Sequence, residues 1–144
     1  IKKSETHNCK IYYPLDVVVS KTLDGNGKIK EINEVNNDEM ILDIGPKTIE
    51  SIKNIINVTN TVLWNGPAGY FENPNFANGT KKILEIIANK RLQGEIYAVA
   101  GGGETVAVIN KFNKLDTFNF VSTAGGAFLE YLEGKELPGI KALK

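Results

Sequence analysis

Glycines follow a short apolar stretch in the second half of the chain, where backbone amides could bind an anion. Residues 98–100 run into Gly101, Gly102 and Gly103, and a helical pattern opens at Glu104. Glycine lets a ligand approach the backbone closely, and the first amides of a helix have no partner within the helix. Such a segment can bind a phosphate group without side chains. The same residues could also form a tight strand-to-helix turn that holds no ligand.

The spacing of these glycines differs from the two best-known phosphate-binding motifs. G-x-G-x-x-G is absent, and no lysine follows the glycines as in G-x-x-x-x-G-K-[ST]. A dinucleotide-dependent dehydrogenase is therefore disfavoured. Three further apolar stretches end in glycine turns: Gly45-Pro46, Asn65-Gly66-Pro67 and Gly125-Gly126. This recurrence favours a phosphate ligand, because the carboxyl ends of parallel strands meet at one edge of a sheet.

Composition restricts the classes of function. The chain has 17 basic and 17 acidic side chains, and a net charge of zero is unsuited to binding the nucleic-acid backbone. No apolar stretch is long enough to span a membrane. The one cysteine, Cys9, cannot form an intramolecular disulfide and favours a reducing compartment. The one histidine, His7, lies in a polar stretch and is expected at the surface, so neither histidine acid–base chemistry nor a His/Cys metal site is expected.

Alternating apolar stretches and helical patterns predict an α/β fold. Strands are predicted over residues 11–19, 40–44, 61–64, 95–100 and 118–121, and residues 28–32 are predicted to return as a hairpin strand or an edge excursion. Trp64 is expected in the core, and Asn73 is expected to cap a helix that has Pro74 at its first position. The order predicts a parallel sheet with helices on both faces, a Rossmann-like three-layer α/β/α arrangement, with all four glycine turns at one cleft.

Amphipathic patterns predict which side chains of the helices face the sheet. The predicted inner faces, from the first helix to the last, are Ile49, Ile52, Ile55 and Ile56; Phe76, Thr80, Ile83, Leu84 and Ile87; Val106, Ile109 and Phe112; and Phe128, Leu129 and Leu132. The apolar tail after residue 136 has no predicted element of its own.

Four motifs together resemble the phosphoglycerate kinase family. They are Asp43-Ile44-Gly45-Pro46-Lys47-Thr48, Trp64-Asn65-Gly66-Pro67-Ala68-Gly69-Tyr70-Phe71-Glu72, Gly101-Gly102-Gly103-Glu104-Thr105 and Ser122-Thr123-Ala124-Gly125-Gly126-Ala127. Residues 132–140 are also similar to the C-terminus of that family. The resemblance implies that residues 1–144 are the latter half of the C-terminal nucleotide-binding domain, an incomplete half-domain. Residues 136–144 are then expected to dock on an N-terminal domain that this sequence lacks.

The activity that the resemblance implies is glycolytic phosphoryl transfer between 1,3-bisphosphoglycerate with ADP and 3-phosphoglycerate with ATP. The reaction would take place in the cytoplasm with Mg²⁺ on the nucleotide, and the full-length enzyme would be a monomer. This chain would supply the Mg-nucleotide half-site and be inactive alone, and the isolated piece is expected to self-associate. A non-catalytic nucleotide-binding or interaction module is the alternative.

The resemblance also assigns roles to individual residues. Nucleotide contacts are expected from Tyr13, Asn65, Gly66, Pro67, Tyr70, Glu72, Gly102, Gly103, Glu104 and Thr105. Glu72 would accept hydrogen bonds from the ribose hydroxyls. Tyr13 and Tyr70 would either stack on adenine or narrow its pocket.

Catalytic roles are implied for Gly102, Gly125 and Gly126. Gly102 would face the phosphates with Gly103, and amides at Gly125 and Gly126 would stabilise charge on the transferred phosphoryl group. Thr105 would donate hydrogen bonds to the phosphates. Glu104 stands where the family normally has an aspartate that binds the nucleotide's magnesium. Glutamate keeps the oxygen ligands but is one methylene longer, so direct and water-bridged coordination both stay open.

Overall fold

The computed structural model describes residues 2–144. In chain order the helices and strands of this part are α1 (Lys2–Thr6), β1 (Asp16–Ser20), β2 (Lys28–Glu31), β3 (Met40–Ile44), α2 (Pro46–Asn57), β4 (Thr61–Asn65), α3 (Asn78–Leu92), β5 (Tyr97–Gly101), α4 (Gly103–Lys111), β6 (Phe120–Ser122), α5 (Gly126–Leu132) and α6 (Pro138–Lys141). No helix within residues 2–144 combines the length and the apolar character that a bilayer crossing requires.

Strands β4, β5 and β6 form a parallel sheet in the order β4-β5-β6. Their register pairs Trp64 with Ala100 and Ala100 with Val121, so these side chains share one face. That face carries the core: Trp64, Ala98 and Ala100 are buried against apolar residues of α2, α3 and α4. The α/β class and the predicted core position of Trp64 are confirmed.

The opposite face of the parallel sheet is more open. Phe128 of α5 covers one end of this face. Its ring packs so closely on Gly101 that a Cβ there would lie 2.5 Å from it. Helices therefore lie on both faces, as predicted. Leu63, Tyr97 and Phe120 on this face remain 43%, 52% and 51% exposed.

The first three strands form a separate antiparallel sheet in the order β2-β1-β3. The predicted hairpin is present, since Val17 pairs with Lys30 in an antiparallel register. The predicted strand over residues 11–19 begins only at Asp16. Two causes are local: Pro14 has no N–H to donate, and the Leu15 N–H donates to Thr48 Oγ1 at 3.0 Å rather than to a strand. Strand β3 pairs with β1 antiparallel, so the parallel order is confined to the later strands.

Two predicted helix details are shifted. Asn73 caps a short 3-10 turn at Pro74–Phe76, where its side chain accepts from Asn75 N–H, and α3 itself begins at Asn78. The predicted inner residues of α3 are buried nonetheless. In α4 the buried residues are Thr105, Val108 and Ile109, so Thr105 and Val108 replace the predicted Val106. In α5, Leu129 and Leu132 are 40% and 54% exposed, although an inner position was predicted.

Candidate functional site

A cavity of about 270 Å³ lies beyond the carboxyl ends of β4, β5 and β6. Its lining comes from the three loops that follow these strands and from the helix starts behind them: Asn65, Gly66, Gly102, Gly103, Glu104, Thr105, Gly125, Gly126 and Leu129. Six of the ten residues expected to contact the nucleotide belong to this lining, and Tyr13, Pro67, Tyr70 and Glu72 do not. All three expected catalytic glycines, Gly102, Gly125 and Gly126, also belong to it. The loops are adjacent because parallel strands all end at the same edge.

Glycine is required at position 102 by two independent constraints. Its φ angle is +90°, a backbone conformation that residues with a Cβ rarely adopt. A Cβ there would also lie 2.7 Å from Asn65 Oδ1. The close approach of the β4 and β5 loops therefore depends on the missing side chain.

The fold itself does not require glycine at positions 103 and 126. A Cβ on either residue would meet no atom within 4 Å, and neither has a positive φ. Nothing within residues 2–144 therefore excludes an alanine at these positions. Both residues are exposed and line the cavity, with open space beside them.

Thr105 connects two walls of the cavity. Its side chain is fully buried in the first turn of α4, and Oγ1 accepts a hydrogen bond from Gly66 N–H at 2.6 Å. One lone pair of the hydroxyl oxygen is thus engaged with the chain itself, which leaves the hydroxyl proton and the second lone pair. The same turn, residues 103–105, lines the cavity, and its N–H groups have no partner within the helix.

Glu104 is the one ionisable residue in this lining, and it is exposed. Within residues 2–144, no group of three or more His, Cys, Asp or Glu side chains could hold a metal ion. Magnesium often binds one or two carboxylates and completes its shell with phosphate oxygens and water. A single carboxylate fits that mode when a ligand brings phosphate oxygens, so Glu104 could hold a metal that arrives with a nucleotide.

The fourth glycine turn, Gly45-Pro46, lies outside the lining of this cavity, so the predicted meeting of four turns is reduced to three. Its helix α2 is capped from within the chain by Asp16, whose carboxylate accepts from Lys47 N–H at 3.0 Å and Thr48 N–H at 2.8 Å. Burial opposes ionisation of Asp16, but these bonds and one from the Thr48 hydroxyl outweigh it and lower its pKa. The start of α2 therefore already has an internal anion.

The other expected nucleotide residues lie on neighbouring segments. Tyr13, 75% exposed, borders a separate cavity of about 120 Å³ that also includes Ala68 and Thr48. Pro67, Tyr70 and Glu72 lie on the loop that follows β4, with Tyr70 36% exposed and Glu72 exposed.

Sequence reasoning placed Leu129 in the core, whereas it lines the cavity. Its position is three residues into a helix that starts at a glycine turn, and this spacing brings it back over the turn. This helical spacing is the sequence signal that could have identified Leu129 as a lining residue.

A comparison with models of known protein families shows which family this chain belongs to. The family model described as phosphoglycerate kinase matches residues 1–135 of this chain. The chain belongs to the phosphoglycerate kinase family. It is 44% identical over 146 residues to the phosphoglycerate kinase of Orientia tsutsugamushi strain Ikeda, covering 99% of this chain and 36% of the relative. The phosphoglycerate kinase of Francisella philomiragia is 47% identical over 146 residues, with 100% and 36% covered.

Solved structures agree with this assignment. The structure of phosphoglycerate kinase from Coxiella burnetii is 40% identical, with a TM-score of 0.87, and the match covers 99% of this chain and 36% of that one. Phosphoglycerate kinase from Pyrococcus horikoshii is 30% identical with a TM-score of 0.80, covering 99% and 34%. This chain therefore spans little more than a third of the length of the phosphoglycerate kinases it matches.

Proposed function

We propose that this chain provides the Mg-nucleotide half of a phosphoglycerate kinase site, for phosphoryl transfer between 1,3-bisphosphoglycerate with ADP and 3-phosphoglycerate with ATP. The observation that carries the proposal is the cavity at the ends of the three parallel strands, whose lining is mostly glycine backbone. A site of this kind binds phosphate through amides.

The phosphate groups of ADP or ATP would lie against Gly102, Gly103 and the first turn of α4. Asn65, Gly66 and Pro67 would line the nucleotide, and Glu72 would accept hydrogen bonds from the ribose hydroxyls. The cavity beside Tyr13 and Ala68 supports placing the base on that side. Tyr13 and Tyr70 are exposed enough to contact the base directly.

Glu104 would hold the magnesium ion that accompanies the nucleotide, either directly or through water. Bound magnesium neutralises charge on the phosphate oxygens during transfer. Gly125 and Gly126 would direct amides at the transferred phosphoryl group, since both line the same cavity as Gly102.

Energetic magnitudes support inactivity of the chain alone. An oriented donor at a developing oxyanion contributes about 2.7–4 kcal/mol, whereas positioning two reactants contributes about 7–11 kcal/mol. The acid substrate would be positioned by a separate N-terminal domain. Detectable ATP formation from 1,3-bisphosphoglycerate by these 144 residues would overturn this part of the proposal.

Exposed apolar side chains support both tail docking and self-association. Helix α6 has no buried residue, and Ile140 and Leu143 are 42% and 88% exposed. We place this tail against the N-terminal domain of a complete, monomeric enzyme.

Alone, the chain should self-associate through the open face of the parallel sheet, which carries Leu63, Tyr97 and Phe120. Light scattering at high concentration tests this, and a clean monomer would contradict it.

The cytoplasm is the proposed compartment, and the free, exposed Cys9 suits its reducing conditions.

Isothermal titration of the chain with ADP, with and without Mg²⁺, tests the proposed function. Binding that magnesium tightens supports the half-site. Weak ADP binding that ignores magnesium would favour a non-catalytic nucleotide-binding module, and no binding would refute both.

A further inference from the structure

The loop between β4 and the Pro74–Phe76 turn is held by hydrogen bonds at nearly every residue. Beyond the bond from Gly66 N–H to Thr105, Tyr70 N–H donates to Leu42 O at 2.8 Å. Lys111 Nζ donates to Phe71 O, also at 2.8 Å. The loop is thus tied to β3 and α4, which are distant from each other in sequence.

Thr80 makes the central attachment of this loop. Its side chain is fully buried in the first turn of α3. The single oxygen Oγ1 accepts from two successive loop amides, Ala68 N–H at 3.0 Å and Gly69 N–H at 3.2 Å. Both lone pairs of the hydroxyl are therefore used by the loop.

Asp43 fixes the helix that carries Thr80. Its buried carboxylate accepts from Gly79 N–H at 2.8 Å and from Ile44 N–H at 2.9 Å. A Cβ on Gly69 would lie 2.5 Å from Asp43 Oδ1, and a Cβ on Gly79 would overlap the same oxygen. Strand β3, the loop and the first turn of α3 therefore pack with no space for an added methyl group.

We infer that Thr80 is a positioning residue for nucleotide binding, which holds the loop bearing Pro67, Tyr70 and Glu72 in its binding conformation. The inference rests on the proposed function, because these three residues are the expected contacts of the nucleoside. Thr80 itself is buried behind the loop and touches no ligand. Its effect is to remove freedom from the loop before binding, so that ADP need not order it.

The position of the loop separates two kinds of ligand. The nucleoside part of ADP would contact the Thr80-bound loop, whereas pyrophosphate would contact only the glycine cavity, whose lining includes no residue between 67 and 72. Loss of the Thr80 attachment should therefore weaken ADP binding and spare pyrophosphate binding. A general loss of stability would affect both ligands equally.

The test compares three variants of the full chain by titration calorimetry with ADP and with pyrophosphate. Thr80→Val removes the acceptor while keeping the shape, and should weaken ADP about tenfold, or ~1.4 kcal/mol, with pyrophosphate unchanged. Thr80→Ser keeps the hydroxyl and should bind ADP with most of the affinity of the unmodified chain. Ile87→Val removes a methylene from a residue buried in the same helix and should leave both ligands unaffected.

The outcomes distinguish this inference from the proposed function. If the unmodified chain fails to bind ADP, the proposed function fails. If it binds ADP but Thr80→Val behaves like Ile87→Val, or loses both ligands equally, the positioning role is wrong. Should Thr80→Val not fold, hydrogen exchange decides on the unmodified chain: Ala68 and Gly69 amides should be protected and slow further with ADP, and fast exchange in the complex would overturn the inference.

Discussion

Thr105 Oγ1 accepts a hydrogen bond from Gly66 N–H at 2.6 Å, across 39 positions of sequence. The bond joins the start of α4 to the loop after β4, so two walls of the glycine-lined cavity are held together. Gly66 has a φ of +104°, a backbone conformation that residues with a Cβ rarely adopt.

Replacing Thr105 by valine should lower the free energy of unfolding by about 1–3 kcal/mol, because the acceptor of a partly buried amide is lost. Urea unfolding measures this change. Thr105→Ser keeps the hydroxyl oxygen and should lower the free energy of unfolding by clearly less than the valine variant. Equal stability of the valine and serine variants would show that the bond to Gly66 contributes nothing.

Local patterns predicted where the glycine-lined cavity lies better than they predicted the first sheet. The ends of β4, β5 and β6 could be predicted because each apolar stretch runs directly into glycine, and parallel strands place such turns together. Residues Met40–Ile44 look the same in sequence, yet β3 pairs antiparallel with β1. Strand direction depends on tertiary pairing, which an apolar run does not encode.

The buried polar contacts were also beyond sequence reasoning. Thr80 fits an amphipathic pattern as an ordinary inner residue, and only the fold brings its hydroxyl to Ala68 and Gly69. Asp43 similarly reads as part of a strand, whereas its carboxylate lies against Gly79. Such contacts join residues more than ten positions apart, so no local spacing reveals them.

Stability should fall in acid through Asp16. Its pKa is lowered in the folded chain, so its ionised form stabilises the fold above the unfolded pKa, about 3.9, and this contribution is lost as pH falls through the folded pKa. At neutral pH Asp16→Asn should cost about 1–3 kcal/mol, because an NH₂ group would face a backbone N–H. Urea unfolding at a series of pH values measures both.

The difference between wild type and Asp16→Asn should shrink below about pH 4, where Asp16 becomes protonated first in the unfolded chain and, at lower pH, in the folded one. A difference that stays constant to pH 2.5 would contradict the stabilising role of ionised Asp16.

The pKa of Asp43 is shifted in the opposite direction. Burial raises its pKa more than the amides of Gly79 and Ile44 lower it, so its contribution to stability declines as pH rises from the unfolded pKa through the folded one.

Gly79→Ala distinguishes helix propensity from packing. In an exposed helix, alanine would be more stable than glycine by about 1 kcal/mol. Here the added Cβ would overlap Asp43 Oδ1 and Ile44 Cγ1, both on a buried strand, so a net loss of about 1–3 kcal/mol is expected. Thermal unfolding gives the sign. Gly139→Ala, where a Cβ meets nothing within 4 Å, is the matched control, and a stabilised Gly79→Ala would refute the packing argument.

Glu104→Gln tests the metal role while keeping the length of the side chain. The variant should bind ADP in the absence of magnesium as well as wild type or better, because a negative charge beside the phosphates is removed. The tightening of ADP binding by Mg²⁺ should largely disappear. Glu104→Asp should retain it if coordination tolerates the shorter reach, and an unchanged magnesium effect in Glu104→Gln would exclude Glu104 as the ligand.

Nucleotide binding to Gly103→Ala and Gly126→Ala tests the proposed site most directly. A methyl group at either position meets no protein atom within 4 Å, so both variants should fold as wild type. We predict by titration calorimetry that Gly103→Ala binds ADP at least about tenfold more weakly. Gly126→Ala, beside the transferred phosphoryl group, should bind ATP at least about tenfold more weakly, while Gly139→Ala binds both nucleotides normally. If both cavity variants bind ADP and ATP as tightly as wild type and Gly139→Ala, the phosphates do not occupy this cavity.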